Sequence, residues 1–144
     1  MGVAWGLALI VLGLVAWLGQ AISWFAPATA ERLTLTEPED SVEAVYYGDI
    51  RGEALWDTCT LWTMVGAGVL LLMDNPAWAY FGLISGGVYV YFAGRGIVTR
   101  AVLGRRGFRI GTTQNVTTAY VLLTVWAVAA VVTIIAAVVA LPTS

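Results

Sequence analysis

Four long apolar runs constrain this chain more than any other feature, at about residues 3–25, 54–73, 77–94 and 116–141. Crossing a hydrocarbon layer of about 30 Å at about 1.5 Å per residue takes about 20 helical residues. Backbone groups in lipid find no water, so the crossing elements must be helices or a closed barrel. The runs are continuous rather than alternating, and too few and too long for barrel strands. The expected fold is an all-α, polytopic membrane protein: one four-transmembrane-helix bundle over residues 1–144, with short interfacial segments on the cytoplasmic side. Composition agrees, with 60% hydrophobic and 11% charged residues against about 25% charged in soluble domains.

The boundaries follow from punctuating residues. Pro27 stops the first run, and Trp17 and Trp24 suit an interface. Asp74-Asn75-Pro76 is a tight turn between the second and third runs, and Pro142 closes the fourth. The small residues Ala28-Thr29-Ala30 resemble a signal-peptide cleavage site. No basic residue precedes the first run, however, and the run is long for a signal sequence, so a retained helix is expected.

Charge is segregated. Seven of the nine acids lie between Glu31 and Glu53, and five of the seven arginines between Arg95 and Arg109. Arginine-rich loops stay in the cytoplasm, whereas acids contribute little to topology. The connections 26–53 and 95–115 are therefore expected to be cytoplasmic, in a multi-pass cell-membrane protein with both termini outside. A short helix capped by Thr36 or Ser41 would present Val42, Val45 and Tyr46 on its apolar side; a second would end near Gly104. Arg100, Arg105, Arg106 and Arg109 are expected to contact anionic lipid, to anchor the topology or to bind the acidic connection. Asn115-Val116-Thr117 matches a glycosylation acceptor but falls on the cytoplasmic side, so the match is read as chance.

The densest polar cluster surrounds the entrance to the second run: Asp49, Arg51, Glu53, Asp57 and Thr60. Glu53, Asp57 and Thr60 share a helix face. Counting back from a turn near residue 75 sets Arg95 level with residue 55. Arg95 is thus expected to pair with Glu53 or Asp57, since an unpaired buried charge is costly; separate snorkelling into headgroups is the alternative. In the third run, Tyr80, Ile84, Gly87, Tyr91 and Arg95 share a face from which Tyr89 points away. Gly82 and Gly86, with Gly87 beside them, form a close-packing motif for internal packing or dimerisation. Thr113, Thr117, Tyr120 and Thr124 share a face of the fourth run. A polar pocket opening toward the cytoplasm would draw on Glu53, Asp57, Thr60, Tyr91, Arg95, Thr117 and Tyr120, with Cys59 about 200° round the helix from Asp57.

No histidine is present and Cys59 is the sole cysteine. Imidazole ligation, an internal disulfide and a Cys/His nucleophile are thereby excluded within the chain, and no metal site is expected. The sequence leaves the cofactor unknown and catalytic residues unassigned. The expected partners are membrane lipids and a second copy or another membrane protein, and no nucleic acid. Three functional classes follow: an accessory or scaffolding membrane protein in an oligomeric complex, an oligomeric transporter of small solutes or ions, and a membrane-embedded lipid-processing enzyme.

Overall fold

A computed structural model describes residues 2–141, so Pro142 lies outside the described residues. The chain is all-α: α1 (Gly2–Phe25), α2 (Pro27–Arg32), α3 (Ala44–Thr60), α4 (Trp62–Leu72), α5 (Trp78–Arg105) and α6 (Thr113–Ala140). A 3-10 turn, Glu39–Ser41, lies between α2 and α3. Helices α3 and α4 meet at Leu61 and form one span, Ala44–Leu72; with α1, α5 and α6 it makes four helices long and apolar enough to cross a membrane. This is a polytopic four-helix bundle. Val11, Val121, Val128 and Ile135 are exposed along its outside, where lipid would cover them.

The helices are longer than the apolar runs. The second begins at Ala44 rather than near residue 54, the third continues past residue 94 to Arg105, and the fourth spans Thr113–Ala140 rather than 116–141. Separate interfacial helices at these places are therefore replaced by extensions of the membrane helices. Val42 and Tyr46 are buried as expected for an apolar side, but Val45 is 88% exposed. Elongating an existing helix avoids the cost of nucleating a new one, so the polar flanks continue the helices.

Close approach holds neighbouring helices together. A Cβ on Gly68 of α4 would lie 2.7 Å from the Gly6 carbonyl oxygen of α1, and one on Gly13 would lie 3.0 Å from Val65 N. Gly82 and Gly86 of α5 serve α6 in the same way, facing Ala137 and Ile134, whereas Gly87 faces open space. The chain thus packs α1 on α3 and α4, α4 on α5, and α5 on α6, while α1 and α6 make few direct contacts. The row is curved, with a gap between its first and last members.

Helix ends are explained by local chemistry. The Asp74 backbone turns left-handed (φ 50°), with Asn75 N bonded to Leu70 O at 3.0 Å. Gly107 (φ 79°) ends α5 similarly, with Phe108 N bonded to Leu103 O at 3.1 Å. Thr112 caps α6 by accepting from Asn115 N at 3.3 Å. At the end of α1, Pro27 has no N–H to offer Ser23 O. Arg51 of α3 replaces it, donating to Ser23 O and, at 2.8 Å, to Trp24 O; its guanidinium also stacks 5.0 Å from the Trp24 ring centre.

Gly2 and Gly6 lie against Leu71 and Leu72, and Gly82 against Ala137. The start of α1 and the end of α6 therefore share a side with the Asp74 turn. The other side, called here the loop side, carries residues 33–43 and 106–112. These two connections are joined. Val42 and Ile110 form an antiparallel bridge, and Glu43 N donates to Arg109 O at 2.9 Å.

Candidate functional site

Three polar groupings occur at successive places in the loop-side half. The first is an ion cluster between α3 and α5. Arg95 Nη2 donates to Asp49 Oδ1 at 2.6 Å, and Arg95 Nη1 forms a salt bridge with Glu53 Oε1 at 2.5 Å. Arg95 therefore takes Glu53, together with Asp49 one turn nearer the loops, rather than the deeper Asp57. A long arginine stem permits that reach toward water. The cluster borders an open groove of about 330 Å³, flanked by Gly48, Gly52, Trp56 and Tyr91. Tyr91 lies on the bundle's outside with Tyr80 and Ile84, so the face they share turns to lipid.

The second grouping is a polar knot inside the bundle. Tyr89 is fully buried, and its hydroxyl donates to Leu61 O at 3.0 Å, with Gly13 O at 3.4 Å as the alternative acceptor. Trp17 Nε1 donates to Thr58 O at 2.8 Å. Asp57 is buried beside them on α3, and its Oδ2 has no hydrogen-bond partner. Thr60 bonds its own helix at Trp56 O, and Cys59 is exposed on another face. The Tyr89 knot was not legible as such. Its signal was the stripe Gly82, Gly86, Tyr89, Ala93 and Gly96, whose small members mark the face that α5 buries.

The third grouping is a cleft of about 350 Å³ in the gap between α1 and α6. Its deeper wall is apolar: Val15, Ala16, Phe92, Leu122, Leu123 and Trp126. Trp126 closes the bottom by donating Nε1–H to Leu12 O at 3.1 Å. The end toward the loops is polar, with Gln20, Glu37, Arg100, Gln114, Asn115 and Thr118. Residues Thr34–Glu37 pass over this end. Glu37 anchors them, accepting from Asn115 Nδ2 at 2.8 Å and packing so tightly on Gly111 that any Cβ there would overlap its carboxylate.

The fourth helix contributes by a different face from the one its hydroxyls mark. Thr117 and Thr124 are exposed and bond to the carbonyls of Thr113 and Tyr120, and Thr117 and Tyr120 do not line the cleft. Gln114, Asn115, Thr118 and Leu122 line it instead. Among the arginines, Arg100 enters the cleft, whereas Arg105 and Arg106 are exposed. Arg109 binds the acidic connection, 3.3 Å from Glu43 Oε1 and from the Asp40 carbonyl oxygen. Among the described residues, no three His, Cys, Asp or Glu side chains converge as a metal site.

Comparison with known protein families, curated proteins and solved structures finds no match to this chain.

Proposed function

We propose that this is an accessory membrane protein that holds an amphipathic molecule of the loop-side leaflet in the cleft between α1 and α6. One observation carries the reading: the lining changes from charged and amide groups to apolar side chains along the same axis as a lipid leaflet. Arg100 and Asn115 lie at the loop end, and Trp126 and Val15 toward the middle of the spans. A volume of about 350 Å³ falls within the range of about 300–1,000 Å³ usual for small-molecule sites. The gap gives lateral entry, since no helix stands between α1 and α6. The arginine bias assigns the loop side to the cytoplasm.

The same features weigh against the other classes. The turn-side half is packed through Gly6, Gly68, Gly82 and Gly86, which does not favour a solute path. The acid Asp57 and the thiol Cys59 face apart, which does not favour a joint catalytic role.

The test uses Gly19, which lines the cleft and has no heavy atom within 4 Å of an added Cβ. Gly19→Phe fills the cleft, whereas Gly87→Phe adds the same ring on the outside. Native mass spectrometry after gentle extraction should show a retained lipid-sized adduct on the wild type and on Gly87→Phe, and its loss from Gly19→Phe. Equal adducts on all three proteins refute the proposal.

A further inference from the structure

We infer, resting on the amphiphile reading of the cleft, that the ligand is a glycerophospholipid and that Arg100 holds its phosphodiester. The cleft contains three charged side chains, Glu37, Glu53 and Arg100. Two are already engaged: Glu53 lies against Arg95, and Glu37 accepts from Asn115. Arg100 has no carboxylate within ion-pair distance among the described residues. Its hydrogen bond is to Gly96 O, one turn back on its own helix, made by Nη1 at 3.1 Å. Arg100 lines the cleft, and its other guanidinium donors have no protein acceptor among the described residues. A planar fork of N–H donors matches phosphate oxygens closely.

Two further features place and grade the charge. The first turn of α6 borders the same end, with Gln114, Asn115 and Thr118 in the lining. Helix N-termini carry partial positive charge and spare N–H groups, which favour an anion there. Glu37 sits at that end too, and it opposes a second negative charge. Because Asn115 is neutral and leaves the Glu37 charge in place, a singly charged phosphodiester is repelled less than a doubly charged phosphomonoester, so the geometry favours the diester. Depth selects the source. Arg100 lies beyond Arg95 on α5, toward the loop side, while Leu122, Leu123 and Trp126 line the space that an acyl chain would enter.

The experiment is native mass spectrometry of the full chain with phosphatidylglycerol, phosphatidic acid and diacylglycerol of matched acyl chains. Wild-type protein should prefer phosphatidylglycerol to diacylglycerol by about tenfold, the scale of one charge-assisted contact. Arg100→Gln should lower phosphatidylglycerol binding to the diacylglycerol level and leave diacylglycerol binding unchanged, which also reports an intact fold. Arg105→Gln combined with Arg106→Gln should preserve the wild-type preference. A preference that survives Arg100→Gln overturns the role of Arg100. Equal wild-type binding of phosphatidylglycerol and diacylglycerol overturns the phosphate assignment while the cleft reading stands. Tighter binding of phosphatidic acid than of phosphatidylglycerol overturns the diester. If Gly19→Phe binds all three lipids as the wild type does, the cleft reading itself falls.

Discussion

Replacing Arg51 with alanine removes two donors that the α1 terminus depends on. Pro27 cannot supply the N–H that would continue the helix to Ser23 O, and the chain leaves helical geometry at Ala26 (φ −139°, ψ 63°) before the Trp24 carbonyl finds an intrahelical partner. Arg51 serves both carbonyls from α3, so one side chain terminates α1 and joins it to its neighbour. A hydrogen bond to a charged group contributes about 1.5–3 kcal/mol. The site is half-buried, and freed carbonyls can recruit some water, so the pair is expected near the lower end: a loss of about 2–4 kcal/mol for Arg51→Ala. Stacking on Trp24 adds about 0.5–1 kcal/mol at an exposed site. Arg51→Lys, with one compact ammonium in place of the fork, should recover about half of the loss. The assay is reversible unfolding in mixed micelles followed by tryptophan fluorescence. A cycle with Pro27→Ala isolates the cause. Alanine restores a backbone N–H and lets Ala26 relax to helical geometry, where that N–H reaches Ser23 O, so Arg51→Ala should cost less in that background. A loss under about 0.5 kcal/mol, or the same loss with and without Pro27, would refute the capping argument.

Four other substitutions test the packing and the turns by the same unfolding measurement. Gly68→Ala forces a Cβ to 2.7 Å from Gly6 O and should cost about 1–3 kcal/mol, whereas Gly87→Ala meets nothing and should stabilise α5 by about 0.5–1 kcal/mol. Tyr89→Phe removes the hydroxyl that donates to Leu61 O and should cost about 1–3 kcal/mol; an unchanged midpoint would show that the carbonyl is satisfied otherwise. Asp74→Gly relieves a left-handed residue and should stabilise the turn by about 1 kcal/mol, and a lowered midpoint would contradict the strain.

Hydropathy made the four spans legible because lipid acts on every residue of a span alike. It could not mark where the helices end. Between Ala44 and Glu53 the sequence is polar, yet α3 begins there, since helix extension is limited by breakers rather than by polarity. Counting back from the turn at Asp74-Asn75-Pro76 put Arg95 level with the acids, and that depth argument needs only the rise per residue. It could not choose the acid, because Asp49, Glu53 and Asp57 differ in angle and reach as well as in depth.

Rotational phase was the missing quantity throughout. Tyr91 and Tyr89 are equally aromatic and two residues apart, yet the first faces outward and the second is fully buried. In α6 the hydroxyls of Thr117 and Thr124 mark one face, but those groups can satisfy themselves on their own backbone and so place no demand on the bundle. The residues that fix phase are the small ones, because only they admit another helix at backbone distance. Gly6, Gly13 and Gly68 bind α1 to α4, and Gly82 and Gly86 bind α5 to α6. Among the described residues, no comparable set joins α1 to α6. The distribution of glycine therefore closes the α1–α4 and α5–α6 sides of the bundle and leaves the α1–α6 side to be filled by larger side chains at a greater separation. The cleft is the consequence of that omission, and residues Thr34–Glu37 cross its polar end, in a connection tied to 106–112 through Val42, Glu43, Arg109 and Ile110.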